Sequence, residues 1–381
     1  MEFIVNAIYY VVPFLFLLGV LVFVHEFGHY IVAKLTGVKV AEFSIGFGKM
    51  LWGKTDASGT LWKLSAIPLG GYCKFLGDSD AASSGNDSSE ISEEDKKYAF
   101  AFQNPFKKLA IVIGGPAFNY LFAVVVFACI FAAFGKMEFP PVIGSVIENS
   151  PAAKAGIKVK DKIISVDGRK VKTFNEFRQE IEMSTSGEVK LILLRDNKEV
   201  RLDVKLAPVV IGENKEQSKK PMLGVTSVTE IEFSPTKMTL IEAIKEAFVE
   251  CYNISAVTLR GVGQMITGKR NTDELGGIVR IAEMSGDITK TSSWIDFLVF
   301  MALLSINLGL INLFPIPMLD GGHVVIYMIE IVLRREINEQ AKEYIFKFGF
   351  FLLIALMVLA TYNDFARLFN RWFSSKIKWG L

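Results

Sequence analysis

The chain has 381 residues, of which 51% are hydrophobic, and its mean hydropathy is +0.36. This composition excludes an ordinary soluble domain, and the length allows more than one folded unit. A net charge of +2 indicates no nucleic-acid partner, and the widely spaced Cys73, Cys129 and Cys251 favour neither a disulfide framework nor a cysteine zinc site. We interpret the cysteines as small buried hydrophobic side chains.

Residues 1–36 form the first predicted membrane segment, with a span from about Ile8 to Ala33. A basic start and a small-residue cleavage site are both missing, so we expect a retained span rather than a signal peptide. On a helix, His25 and His29 share one face, where two imidazoles can hold Zn²⁺ and Glu26 can take a proton from water. Such a pattern can arise by chance, but burying a charged Glu in a membrane costs roughly 2.5–3.5 kcal/mol, which favours a metal site.

Residues 37–77 contain two stretches, 38–48 and 61–66, in which apolar and polar side chains partly alternate. Turn-forming residues occupy 56–59 between them. We therefore expect a β-hairpin or small sheet that ends at the corner 68–72. Its position next to the metal motif favours a role at the membrane face over a surface hairpin with no role.

Residues 78–106 are predicted to form a polar cytoplasmic loop, because the part up to Lys97 is rich in Ser, Asp and Glu. The second predicted membrane helix, 107–135, begins with Lys107 and Lys108. It carries Asn119, a polar group inside an apolar span. A helix–helix hydrogen bond and a role in a site are both open for this amide.

Residues 141–208 alternate short strands and short helices in an order that resembles a bacterial PDZ domain. The resemblance is carried by the stretches 150–156 and 156–168. Such domains bind an extended peptide at a sheet edge, although a purely structural spacer is the alternative. Residues 209–295 follow as a linker and an amphipathic helical region.

The third predicted membrane segment, 296–322, is interrupted by Pro315 and Pro317 and then reaches Asp320. Prolines leave backbone carbonyls unpaired, which a membrane tolerates only where protein or water satisfies them. Asp320 can supply an oxygen ligand to the zinc of the two histidines. His323 could do so instead, and Asp320 could alternatively cap the next helix; we favour Asp320 as the third ligand.

The fourth predicted membrane helix is 342–363, and residues 364–381 form a basic tail that we expect at the membrane interface. With four spans, the basic residues that flank the first two spans and those between the last two lie on one side. The positive-inside rule makes that side cytoplasmic and puts residues 141–208 outside. The basic tail would then also be outside, which the rule does not favour.

Taken together, the motifs make the chain resemble the site-2 protease family of intramembrane zinc metalloproteases, in particular the bacterial proteases that regulate sigma-E. The segments that carry this resemblance extend over nearly the whole chain and are 25–29, 43–48, 68–72, 115–119 and 312–322. The implied fold is a polytopic α-helical membrane protein of about four transmembrane helices, with a membrane-associated sheet and an inserted PDZ domain.

The resemblance implies that His25, His29 and Asp320 bind zinc, that Glu26 is the catalytic base and that Asn307 and Asn312 help to hold the substrate. It implies a sheet at 38–76 that pairs with an unwound substrate. The expected substrates are single-span membrane proteins of the anti-sigma factor type and signal-peptide remnants. The other expected partners are the lipid bilayer and a peptide ligand of the PDZ domain. The expected location is the bacterial inner membrane.

The chain departs from the family pattern in two places, and neither involves the metal ligands. We find one PDZ segment where the best-known relative has two, and Gly276-Gly277 stands where the family usually has Gly-Pro. Two other functions remain open at this point. A membrane-embedded PDZ adaptor with a degenerate site would lack stoichiometric zinc, and an ion transporter built on Asp320 and Asn119 would show internal repeats, of which we find none.

Overall fold

The structure is a computed structural model that describes residues 2–77, 91–136, 139–184, 187–207, 210–211, 216–217, 222–227, 238–269 and 276–378. Two compact units divide the chain. The first comprises Met1–Ile130, Glu242–Leu259 and Asn271–Leu381, and the second comprises Phe131–Ile241 and Arg260–Arg270. Most of the acidic loop predicted at 78–97 and Trp379 of the predicted tail lie outside the described residues.

The helices are, in chain order, α1 (Glu2–Leu35), α2 (Pro105–Phe134), α3 (Pro151–Lys154), α4 (Phe174–Glu182), α5 (Leu240–Ile266), α6 (Ile278–Thr291), α7 (Trp294–Asn312), α8 (Asp320–Leu333) and α9 (Glu339–Lys378). The strands are β1 (Val40–Thr55), β2 (Leu61–Phe75), β3 (Ile143–Val146), β4 (Lys162–Val166), β5 (Arg169–Lys170), β6 (Glu188–Arg195), β7 (Lys198–Lys205), β8 (Val210–Ile211), β9 (Glu216–Gln217) and β10 (Val225–Ser227).

Four of the described helices are long and apolar enough to cross a membrane: α1, α2, α7 and the part of α9 up to Arg367. They overlap the four predicted spans, although α7 ends at Asn312 while the third predicted segment continues to residue 322, and the predicted fold class is confirmed. Such runs form helices because a helix satisfies every backbone polar group within its own segment. The predicted tail is not a separate element, since α9 continues through it to Lys378.

Strands β1 and β2 form one sheet that curls on itself, because residues 42–45 of β1 pair with two parts of β2, antiparallel to 71–74 and parallel to 61–64. Ser44 lies opposite both Lys63 and Tyr72. The resulting order across the sheet is 50–55, 61–65, 42–45 and 71–75. The sheet does not end at the predicted corner at 68–72, because β2 continues through it to Phe75. The segment 71–75 is an edge of this sheet among the described residues.

The part of the predicted loop that follows Lys97 packs on this sheet, whereas most of the solvated stretch expected at 78–97 lies outside the described residues. Two short 3₁₀ turns, Lys96–Tyr98 and Phe100–Phe102, precede α2. The buried Phe100 ring stacks on Phe75, with 4.7 Å between ring centroids. This aromatic contact anchors a segment whose composition alone is typical of a linker.

The second unit has the strand and helix order predicted for 141–208, with a sheet in the order β5-β4-β6-β7. Its core is made by inward-facing residues of the strands and helices, including Ile143, Ile163, Phe177, Leu191 and Leu193. Among the described residues, three short strands lie beyond the predicted boundary at residue 208: β8 pairs with β9, and β10 pairs with β3. The sequence did not predict the pairing of β10 with β3, because the two strands are far apart in the chain and polar residues separate β10 from β7.

The Gly276-Gly277 segment leads directly into α6. Gly277 is the N-cap residue and has no side chain to cap the helix. The buried carboxylate of Asp364 on α9 replaces such a cap, since its Oδ2 accepts the backbone N–H groups of Val279 and Arg280 at 3.1 and 3.2 Å. A carboxylate is favourable at this position because a helix N-terminus carries partial positive charge.

Candidate metal centre

Helix α1 presents His25 and His29 on one face, one turn apart, as the spacing predicted. The two Nε2 atoms are 3.3 Å apart and both residues are buried. His29 Nδ1 lies 2.9 Å from the backbone carbonyl oxygen of Ile111. A carbonyl only accepts, so Nδ1–H donates and the lone pair of His29 Nε2 is free to bind a metal ion.

Asp320 joins the two histidines from the first turn of α8. Its Oδ2 lies 3.2 Å from His25 Nε2, and its Oδ1 lies 3.5 Å from His29 Nε2. Three ligand atoms, one from each residue, lie within 4.8 Å of one another, and these residues form the only such group among the described parts of the chain. Asp320 Oδ2 is buried and has no hydrogen-bond partner.

This arrangement fits a metal ion that prefers nitrogen and carboxylate ligands. A buried carboxylate oxygen without a hydrogen bond is costly unless a cation accepts its charge. Two imidazole nitrogens and one carboxylate oxygen are a ligand set of catalytic zinc sites. The cluster therefore has the chemistry that a zinc ion requires.

The proline-interrupted loop after α7 brings Asp320 to this position. Met318 has a φ of +79°, a left-handed conformation that is unusual for a residue with a side chain. Gly321 and Gly322 lie against the backbone of Leu313–Pro317, where a Cβ atom would clash. Asp320 is not the N-cap of α8, because Leu319 has that position and α8 has no side-chain cap.

A cavity of about 320 Å³ surrounds the cluster. Glu26 lines it, and the Glu26 carboxylate accepts a hydrogen bond from the backbone of Cys73 on the sheet edge. The other cavity-lining residues include Phe47, Gly71, Tyr72, Phe75, Phe100, Asn312, His323 and Tyr327. The candidate base, the metal ligands and the edge strand thus share one cavity.

The two asparagines of α7 differ in their surroundings. Asn312 lines the cavity, and its Nδ2 lies 3.3 Å from His25 Nε2. Asn307 is not among the cavity-lining residues, and its Oδ1 accepts a hydrogen bond from the Thr258 hydroxyl at 2.9 Å. The structure therefore brings Asn312, but not Asn307, to the metal cluster.

His323, the alternative ligand, lines the cavity without joining the three-residue cluster. Its ring packs beside that of Phe346, with centroids 4.9 Å apart.

The sequence left the role of Asn119 open, and in the structure the Asn119 side chain contacts His25 Nδ1 at 3.0 Å. Sequence reasoning missed the carbonyl of Ile111 and the backbone of Cys73, because backbone groups carry no signal of their position in a sequence.

Close packing of α1 and α2 makes these contacts possible. Gly28 and Gly114 face each other so closely that a Cβ atom on either would overlap the other's backbone. Gly115 lies against both imidazoles, and a Cβ atom there would meet His29 Nε2. Small residues therefore let α2 approach the metal motif.

Known proteins resemble this chain over almost its whole length. The model of Peptidase family M50 matches residues 13–356. A candidate zinc metalloprotease of Agrobacterium fabrum is 38% identical over 370 residues, covering 94% of this chain and 96% of the relative. Another, from Mesorhizobium japonicum, is 40% identical over 372 residues, covering 93% of this chain and 97% of the relative.

Among solved structures, the PDZ domain of the SdrC-like protein of Listeria monocytogenes is 28% identical to the part of this chain that it matches. The match covers 24% of this chain and 93% of that domain, with a TM-score of 0.20.

Proposed function

The chain belongs to peptidase family M50 and is a zinc metalloprotease, and we propose that it hydrolyses peptide bonds within or near the membrane-spanning segments of other proteins. In this proposal His25, His29 and Asp320 hold the zinc ion and Glu26 is the general base. The observation that carries it is the convergence of these ligand atoms within 4.8 Å, with His25 and His29 on α1, a helix otherwise apolar enough to span a membrane.

Zinc in such a site supplies Lewis-acid activation of water and of the scissile carbonyl. Glu26 takes a proton from the attacking water and delivers it to the leaving amine, a task that suits a carboxylate lining the same cavity. The hydrogen bond from the Cys73 backbone orients this carboxylate. Asn312 donates its amide hydrogens to a carbonyl oxygen of the bound substrate.

A transmembrane helix hides its carbonyls in internal hydrogen bonds, so the substrate has to unwind before it is cleaved. The edge segment 71–75 offers replacement bonds, because a peptide added beside it extends the sheet along the cavity wall. We expect Asn307 to act on the substrate only after it exchanges its bond with Thr258.

The proposed substrates are single-span proteins of the anti-sigma factor type and signal-peptide remnants. The proposed location is the bacterial inner membrane, with the PDZ-type unit on the extracytoplasmic side, where it binds an extended peptide. The supporting observation is the charge pattern, since Lys34, Lys107 and Lys108 lie at the ends of α1 and α2 that share a side in a four-span arrangement.

The test uses the full chain in lipid vesicles with a model single-span substrate. We expect Glu26→Gln to retain one zinc ion per chain and to lower the cleavage rate by at least about 100-fold, because it removes the base and leaves the ligands. Glu94→Gln, at an exposed position, serves as the control and should cleave normally. Normal cleavage by Glu26→Gln would exclude Glu26 as the base.

A further inference from the structure

A buried amide, Asn119 on α2, contacts the side of His25 that faces away from the metal cluster. Asn119 is fully buried, and its Nδ2 lies 3.0 Å from His25 Nδ1. The other ring nitrogen, Nε2, faces Asp320, His29 and Asn312. Asn119 is therefore the side chain that can accept a proton carried by Nδ1 of His25.

Metal binding imposes one tautomer on this histidine. A neutral imidazole binds a metal through the lone pair of one nitrogen and carries its hydrogen on the other. With Nε2 directed at the cluster, the hydrogen of His25 belongs on Nδ1 and needs an acceptor. For His29 the carbonyl oxygen of Ile111 is that acceptor. The corresponding group for His25 is the side chain of Asn119.

An asparagine side chain can present either its oxygen or its NH₂ group, which exchange places when the amide turns by 180°. Ser305 on α7 decides between the two orientations. Its hydroxyl donates to the backbone oxygen of Asn119 at 2.9 Å, so its single hydrogen is already used. The Ser305 oxygen also lies 3.5 Å from the Asn119 side-chain oxygen.

Two oxygens without a hydrogen between them repel each other, whereas an NH₂ group turned toward Ser305 can donate to its lone pair. That turn points the Asn119 oxygen at His25. Both ends of the amide are then satisfied, as a buried polar network requires. Gly309 allows α7 to approach closely enough, since a Cβ atom there would lie 3.2 Å from Asn119 Cβ.

We propose that Asn119 is a positioning residue of the metal centre: its side-chain oxygen accepts the Nδ1–H of His25, and Ser305 holds the amide in that orientation. The Nε2 lone pair of His25 is thereby directed at the metal. This inference rests on the proposed zinc site. It also assigns the buried amide a role in the site rather than only in helix packing.

The test measures zinc affinity of the full chain by competition with a chelator. Asn119→Leu, which removes the acceptor at similar volume, should weaken zinc binding by about 10- to 100-fold. Asn119→Asp keeps an acceptor oxygen and should bind zinc like the original chain or more tightly. Tyr120→Phe is the matched control, because it removes the hydrogen bond between the neighbouring Tyr120 on α2 and Ser255 on α5, and it should leave zinc affinity unchanged.

A second measurement reports the tautomer directly. The chain has 3 histidines, so a ¹⁵N-histidine-labelled sample gives few imidazole signals, and single replacements assign them. In the zinc-loaded chain, His25 should show a protonated Nδ1, and Ser305→Ala should weaken zinc binding less than Asn119→Leu does.

Three results would overturn the inference while leaving the zinc site intact. Asn119→Leu could bind zinc as tightly as the Tyr120→Phe control, or His25 Nδ1 could be unprotonated in the zinc-loaded chain. The third is that Asn119→Asp binds zinc as weakly as Asn119→Leu. If Asn119→Leu does not fold, the zinc affinity of Asn119→Asp and the tautomer of His25 in the zinc-loaded chain decide whether the inference holds. Failure of the original chain to bind zinc would instead overturn the proposed function.

Discussion

Gly115 lies directly against the two imidazoles of the candidate metal centre. A Cβ atom at this position would overlap His29 Nε2 and lie 2.8 Å from His25 Cε1. We expect Gly115→Ala to displace the imidazoles at a cost of about 1–3 kcal/mol, which corresponds to a roughly 5- to 150-fold loss of zinc affinity.

Gly19→Ala on α1 is the control for this substitution, since no atom lies within 4 Å of a Cβ atom there. Zinc titration of the two variants in the same detergent compares them. Unchanged affinity in Gly115→Ala would mean that α2 moves freely relative to the metal motif, contrary to the close packing described above.

Asp161 in the second unit is a buried carboxylate with an ion-pair partner. Its Oδ2 accepts from Arg195 at 2.6 Å, and Lys158 N–H donates to it at 2.8 Å. Burial raises the pKa of Asp161, but the hydrogen bonds from Arg195 and Lys158 lower it more, so the net pKa is below its ordinary value. The pair therefore stabilises the unit above the unfolded-state pKa of about 3.9.

This stabilisation is lost as the pH falls through the lowered pKa of the folded state, so it should be intact at pH 5 and weakened below about pH 4. Asp161→Asn should destabilise the unit by roughly 3 kcal/mol at neutral pH, because it leaves the Arg195 charge without its partner. Hydrogen exchange of β4 and β6 peptides in the full chain measures the loss. The exposed Asp203→Asn is the control and should exchange normally.

At the scale of elements, one carboxylate connects the β1–β2 turn to the metal helix. Asp56 Oδ1 accepts from the backbone N–H groups of Ser58 and Thr60, at 2.8 and 3.0 Å. Its Oδ2 accepts from the Tyr30 hydroxyl at 3.1 Å and from Trp62 Nε1–H at 3.0 Å. Because Tyr30 follows His29 on α1, Asp56 holds the sheet at a set distance from the metal ligands.

We expect Asp56→Asn to loosen the sheet while leaving the ligands on α1 and α8 undisturbed, since an amide NH₂ cannot accept from Tyr30 or Trp62. Cleavage efficiency should fall by about tenfold, the effect of one charge-assisted hydrogen bond of about 1.5 kcal/mol. Zinc affinity should not change, and Asp203→Asn, at an exposed position, should cleave normally. A parallel loss of zinc affinity would contradict this separation of sheet and metal site.

At the scale of the whole molecule, the four spans give a topology that labelling can test. We expect a cysteine introduced at Lys170 in the second unit to react with a membrane-impermeant reagent in intact cells. A cysteine at Glu94 should react only after the membrane is opened; both positions are exposed. The background is low, because Cys73 and Cys251 are buried and Cys129, which is exposed rather than buried as predicted, lies within a span. Equal labelling of both sites in intact cells would overturn the proposed orientation.

Much of this molecule is readable from local pattern. The four spans, the pairing of His25 with His29 and the order of strands and helices in the second unit follow from runs, helical spacing and alternation within short windows. The family resemblance rests on motifs of the same kind. Each of these features depends on residues close together in the chain, which is why the sequence predicts them.

The remaining features depend on contacts between distant residues. Asp320 reaches His25 across most of the chain, Asn119 is fixed between His25 and Ser305, and the edge 71–75 lies beside Glu26. The pairing of β10 with β3 and the bond between Asn307 and Thr258 belong to the same class. By itself, the sequence determined which groups could act on a metal and a peptide. Only the tertiary structure decided which of them meet, because backbone carbonyls, close glycine contacts and sheet edges acquire their positions when distant segments pack together.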